Sequence, residues 1–234
     1  MRSLEELLAI SPWTADLTGD QRRRVESDLI ERAYPAGASI CHKGKPSDSW
    51  IGVLDGLVKL NCFSHVGKAV TFAGIPAGSW FGEGSVLKGE PRKYDVIALR
   101  DSRIVFMPEK TFNWLLDNSF PFNRFLLLQI NERLGQFIGM VEHDRLLDPD
   151  ARVARALASL FNTYLYPGAE TRVQISQEEL GYIAGASRQR VNQALRVLEA
   201  AGLVKVDYGM ITVLNVEGLR HFESDEQRPA PPAG

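Results

Sequence analysis

The hydrophobic pattern of this chain changes period along its length. From Ala33 to Met107 apolar residues fall in short runs broken by glycine at positions 37, 44, 52, 56, 67, 74, 78, 82, 84 and 89. Short β-rich runs between such breaks predict many antiparallel strands in a compact roll or barrel. Asp55-Gly56, between WIGVL and LVKLNCF, and Val66-Gly67, between NCFS and KAVTFAGI, predict hairpin turns that need positive φ. Ahead of the roll, Ser3 and Glu6 predict a capping box over LEELLAI, and a second helix is expected over Gly19–Ala33.

After the roll the period becomes helical. One short helix is expected over Pro108–Asn118 and one long helix over Phe120–Leu147, entered through Pro121. On the long helix Leu127, Ile130, Leu134, Phe137 and Val141 recur at alternating steps of three and four, which is the seam of a coiled coil. The seam could instead cover the chain's own roll. Phe125, Leu126, Leu128 and Ile138 supply a second apolar face for that contact, so the seam is assigned to a homodimer interface.

A third unit opens at Asp148-Pro149, an N-cap followed by proline at the first helical position. Val153, Leu157, Leu160, Phe161 and Tyr164 give its first helix one buried stripe. In ISQEELGYIAGASRQRVNQALRVLEAAGLVKVDYGMITVLN, Ser176 and Glu179 form a capping box, and Gly185-Ala186-Ser187 make a tight turn. A helix from Arg188 then stops near Gly202. This is helix-turn-helix spacing. At about 100° per residue, Val191, Ala194, Leu195 and Leu198 share the inward face, and Arg188, Gln189, Asn192, Gln193 and Arg196 the outward one. No acidic residue interrupts that outward face before Glu199.

Arg, Asn and Gln are the side chains that pair bidentately with guanine and adenine edges, and a helix entering a groove N-terminus first places Arg188, Gln189, Asn192 and Gln193 nearest the bases. Arg190 and Arg196 suit phosphates, and Ser187 caps the helix. Leu203–Val206 and Ile211–Leu214 add a β-hairpin wing. A merely solvated face would alternate charge signs, which this one does not.

Composition narrows the classes. The net charge is −2 and the pI near 6.1, so attraction to nucleic acid must come from local clustering. No apolar run approaches the roughly 20 residues of a membrane helix, and no signal-peptide core follows Arg2, so a soluble cytoplasmic protein without a membrane partner is expected. Cys41 and Cys62 are too few and too far apart for a metal knuckle or cluster set, and read as free thiols. No metal site is expected. His42, His65 and His143 are the available haem ligands and read as solvated. No HExxH, GxSxG or Walker loop is present, and no catalytic residue is assigned.

The succession of roll, long helix and winged helix-turn-helix resembles the CRP/FNR family of bacterial transcription regulators. The likeness is carried by Gly82-Glu83, Pro91-Arg92, Asp148 before Pro149, and Glu179-Leu180, Gly185, Ser187-Arg188, Val191, Leu195, Leu198 and Gly202-Leu203. The resemblance, which runs to about Phe222, implies an α+β architecture with three parts: a jelly-roll-like sensor of the cyclic-nucleotide-binding type (1–118), a dimerisation helix (119–147) and a winged helix-turn-helix (148–222). The tail beyond, ESDEQRPAPPAG (223–234), is acidic and then Pro/Ala-rich, a composition that predicts disorder. It also implies a homodimer on pseudo-palindromic double-stranded DNA that recruits or blocks RNA polymerase.

In cyclic-nucleotide-binding relatives, the resemblance further implies, Gly-Glu and a downstream Arg hold the cyclic phosphate and the ribose. Within SWFGEGSVLKGEPRKYD that cassette falls on Gly82, Glu83, Gly84, Ser85 and Arg92, with Lys93 beside it and Phe137 facing the base. Gly84, Lys93 and Phe137 depart from the usual residue types. Two readings therefore stand together. In one, Arg92 and Lys93 hold cAMP or another cyclic nucleotide; in the other, Glu83 and Arg92 pair with each other or with Asp95, and regulation needs no effector. A nucleotide-binding regulatory subunit acting through protein contacts is the alternative outside DNA binding. It leaves the Ser187–Arg196 face unused.

Overall fold

A computed structural model describes residues 2–63, 69–168, 171–207 and 209–223. The chain divides into two compact units, Met1–Gly135 with Asn162–Ala169, and Gln136–Phe161 with Glu170–Gly234. The Val66-Gly67 turn and nearly all of the predicted tail lie outside the described residues.

The first unit begins with α1 (Leu4–Ile10), held by the Ser3/Glu6 capping box, a 3₁₀ turn (Pro12–Thr14) and α2 (Gly19–Asp28). The helix expected to reach Ala33 ends at Asp28. Ile30–Tyr34 is strand β1 instead, because its backbone pairs with a distant strand, β8 (Ser102–Pro108). With β2 (Ser39–Cys41), β3 (Ser49–Asp55), β4 (Leu57–Phe63), β5 (Ala69–Pro76), β6 (Trp80–Phe81) and β7 (Asp95–Ala98) these build two antiparallel sheets. Their orders are β1-β8-β3-β6 and β2-β7-β4-β5. The antiparallel roll expected from the glycine-punctuated pattern is present.

Asp55-Gly56 is not a hairpin turn. Strand β3 lies in one sheet and β4 in the other, so the turn is a corner between them. Gly56 takes φ +98°, and a Cβ there would stand 2.2 Å from Ser102 Oγ, so only glycine fits. The β4–β5 pairing does form, from Phe63 opposite Ala69 to Leu57 opposite Pro76.

Strand β3 is buried on both faces, which explains its unbroken apolar run. Ile51 and Val53 join Val58, Leu60, Phe81 and Ile104 between the sheets. Trp50 and Leu54 face the helices, in a cluster with Trp13, Trp80, Phe112, Phe122 and Phe125. Trp50 and Trp80 lie 4.6 Å apart, and Trp80 Nε1 donates to Ser11 Oγ at 2.8 Å. Between β6 and β7 stands a short helix, α3 (Glu83–Lys88), which the sequence reading did not place. Helix α4 (Glu109–Asn118) and the long α5 (Phe120–Leu146) follow as expected.

Helix α5 buries Phe122, Phe125, Leu126 and Gln129 in the first unit. Of the second apolar face expected there, Leu128 and Ile138 instead remain 46% and 60% exposed. The predicted seam also projects outward: Leu127, Ile130, Leu134 and Val141 are exposed, and Phe137 is half-buried.

The second unit contains α6 (Pro149–Ser159), β9 (Arg172–Gln174), α7 (Gln177–Ala184), α8 (Arg188–Ala200), β10 (Val204–Asp207), β11 (Met210–Val213) and α9 (Val216–Arg220). The wing is a three-stranded sheet of order β10-β11-β9 rather than a lone hairpin. Helix α6 starts at Asp148, whose Oδ1 accepts from the Asp150 and Ala151 amides at 2.8 and 3.1 Å. Its stripe buries Val153 and Leu157, with Leu160 and Phe161 just beyond its end, but Tyr164 does not continue it. Tyr164 belongs to the segment that joins the first unit, where its ring stacks on Phe125 at 6.1 Å.

Candidate functional site

Helix α7 is opened by the Ser176/Glu179 capping box and closed by Gly185 at φ +63°. Ser187 Oγ then accepts from the Arg190 amide at 3.2 Å and starts α8. Val191, Ala194, Leu195 and Leu198 are buried, as the helical period required. Arg188, Gln189, Gln193 and Arg196 are exposed on the other face. Two of the expected DNA-contacting residues, Asn192 and Arg190, are half-buried and engaged within the unit. Asn192 Nδ2 donates to Gln177 Oε1 at 3.2 Å, tying α8 to α7. Arg190 pairs with Asp150 of α6 at 2.8 Å and donates to Gln193 Oε1 at 3.2 Å. Among the described residues Arg188, Gln189 and Arg196 have no side-chain partner, and Gln193 is partly committed.

The cassette residues of the first unit come together differently from either pairing considered above. Gly82 takes φ +89°, and a Cβ there would sit 3.3 Å from Arg92 Nη1. Glu83 is buried, and its Oε1 accepts from Arg133 Nε at 2.7 Å. Arg133 also donates through Nη2 to the Trp80 carbonyl at 2.6 Å, beside Gln129 Nε2 at 3.0 Å. Arg92 is 5% exposed. It donates through Nη2 to Ser49 O and Oγ at 3.0 and 3.3 Å and lies 3.8 Å from Asp48. Asp95 instead accepts from the Lys43 amide at 3.1 Å and lies near His42.

Lys93 turns outward to Glu90 at 2.6 Å. Lys88 and Lys93 together hold the Glu90 carboxyl at about 2, well below its usual range. On α3 Gly84 is exposed and Ser85 half-buried. Phe137 stands on the part of α5 that belongs to the second unit.

Three residues fill the roll that sequence reasoning did not place there. Tyr94 packs against the core between the sheets, with Glu83, Arg92, Arg133 and Cys41 around it. Burial pushes its phenol up to about 12. Leu165 and Tyr166 are buried in the same core. Their segment is anchored by Asn162, whose Oδ1 accepts from the Tyr164 and Leu165 amides at 3.0 and 2.9 Å, and by Arg2, which donates to Gly168 O. Arg133 and Tyr166 carry no local motif, so nothing in the sequence marked them. Among the described residues no group of three or more His, Cys, Asp or Glu is placed to hold a metal, and both cysteines are free.

A β-roll followed by a winged helix-turn-helix defines a two-unit, DNA-binding class of protein. The cyclic nucleotide-binding domain family matches residues 31–119, and the Crp-like helix-turn-helix domain family matches residues 151–222. The chain belongs to the CRP/FNR family of transcription regulators. It is 29% identical to the transcriptional regulator SdrP of Thermus thermophilus over 81% of this chain and 92% of that protein. It is 26% identical to the cAMP-activated global transcriptional regulator CRP of Haemophilus influenzae over 73% of this chain and 78% of that one. The structure of FixK2 from Bradyrhizobium japonicum shares the fold, with TM-score 0.70 at 18% identity, over 84% of this chain and 98% of that one.

Proposed function

We propose that the chain is a homodimeric, sequence-specific DNA-binding regulator of the cytoplasm that acts on RNA polymerase at pseudo-palindromic operators. The observation that carries this reading is the exposed face of α8. Arg188, Gln189 and Arg196 stand free on a helix fixed by four buried apolar residues and a side-chain cap, so the polar head is presented rigidly. The exposed seam of Leu127, Ile130, Leu134 and Val141 supports pairing of two copies through α5. Two heads then read half-sites about one helical turn apart.

The roll serves as the sensor in this reading. Gly82, Glu83 and Arg92 bring an anion-binding guanidinium beside a buried carboxylate, and Glu83 Oε2 has no hydrogen-bond partner among the described residues, a set that suits a phosphate and a hydroxyl. cAMP or another cyclic nucleotide fits that donor set. The second reading, regulation without a cyclic nucleotide, is favoured by Tyr94, Leu165 and Tyr166, which pack the roll from within.

The test uses an operator recovered by selection from randomised duplex DNA, with binding followed by fluorescence anisotropy at fixed salt. Arg188→Ala is expected to weaken the selected site by about 1–3 kcal/mol and relax preference at one base pair. Arg190→Ala is expected to weaken selected and random DNA alike. Equal losses on both DNAs for both variants would refute the assignment.

A further inference from the structure

Strand β1 is an edge of one sheet of the roll and β2 an edge of the other. Residues of both strands line a cavity of about 410 Å³, together with the loop leading to Ser49. Its lining includes three permanent cations, Arg32, Lys45 and Arg92, against one carboxylate, Asp48, which is 84% exposed. Among the described residues no carboxylate pairs with Arg32 or Lys45. Arg32 lies over the Phe106 ring at 5.5 Å, and Tyr34 packs beside that ring at 6.4 Å. Ile30, on the same side of β1, leaves nearly half its surface exposed. Gathered like charges repel, and a buried guanidinium such as Arg92 has lost its water, so a bound anion relieves both costs. The volume and the mix of aromatic wall and convergent charge are those of a small-molecule site.

We propose that this cavity binds an organic anion, a carboxylate, phosphate or sulfonate on an aromatic or otherwise apolar body. The charged group lies toward Arg32, Lys45 and Arg92, and the body lies on Tyr34, Phe106 and Ile30. The cavity shares Arg92 with the cassette, but Gly82, Glu83, Gly84 and Ser85 do not line it. Arg92 Nη2 is fixed on Ser49 while Nη1 stays beside Gly82, so one guanidinium borders both the cassette and this cavity. The inference rests on the sensor reading of the roll, and its test is run without DNA.

The probes are 8-anilinonaphthalene-1-sulfonate and its uncharged counterpart N-phenyl-1-naphthylamine, titrated by fluorescence into the full chain. The sulfonate is expected to bind saturably and about tenfold more tightly than the amine. In Arg32→Glu/Lys45→Glu that preference disappears while amine binding persists, and in Arg32→Lys/Lys45→Arg it is retained, which separates loss of charge from loss of fold. Binding to the apolar seam of α5 would ignore these substitutions. Absence of saturable sulfonate binding, or a preference unchanged in the charge-reversed variant, overturns the proposal. Retention of these variants on DNA, measured in parallel, tests the regulator reading separately.

Discussion

Tyr166→Ala is expected to destabilise the roll, although the residue lies within the stretch matched by the helix-turn-helix family. Tyr166 is completely buried and Leu165 is 3% exposed, both in the core between the two sheets. Truncating a buried aromatic ring removes its transfer free energy and leaves a cavity, together about 3–5 kcal/mol. The segment cannot simply swing away to spare the loss. Asn162 Nδ2 holds Glu132, Tyr164 stacks on Phe125, and Gly168 is held by Arg2.

The four tryptophans, Trp13, Trp50, Trp80 and Trp114, all lie in the first unit. Tryptophan fluorescence in a urea titration at fixed protein concentration therefore reports that unit. With a urea slope of about 1–3 kcal/mol per M, a loss of ~3 kcal/mol lowers the midpoint by about 1 M or more. Tyr182→Ala, at an exposed position of the second unit, is the control and leaves the midpoint unchanged. A Tyr166→Ala midpoint within about 0.2 M of wild type would refute the placement of this segment in the roll.

Glu83→Ala strands the Arg133 cation in the interior and is expected to cost about 3–5 kcal/mol in the same titration, whereas Glu83→Leu/Arg133→Met recovers most of it. A double variant as unstable as the single one would show that the pair is not the source of the loss. Tyr94 gives the roll an alkaline limit. Its folded pKa, raised to about 12 from the ordinary 10, means the folded state holds the proton more tightly. Its contribution is complete below pH 10 and falls away between about pH 10 and 12, by roughly 2–3 kcal/mol. Tyr94→Phe removes this dependence, so the wild-type curve falls relative to the variant's by that amount over the window. Parallel curves would exclude the burial of this phenol.

What the sequence determined by itself was whatever its local signals encode. Ser3/Glu6, Asp148-Pro149, Ser176/Glu179 and Ser187 set helix starts that the structure keeps, because a cap is satisfied by backbone two or three residues away. The exposed polar face of α8 was legible for the same reason: Val191, Ala194, Leu195 and Leu198 select one side of a helix whatever they pack against. The glycine-punctuated runs were enough to predict a roll.

Only the tertiary structure decided which distant groups meet. Ile30–Tyr34 became a strand because β8 offers its edge, and Asp55-Gly56 became a corner because β3 and β4 belong to different sheets. Glu83 took Arg133, fifty positions away, as its partner, and Arg92 turned to Ser49. Tyr166 left the neighbourhood of α6 to fill the roll. These choices are made by burial: a charge or ring removed from water needs a partner at contact distance, and that distance is set by the fold rather than by position along the chain.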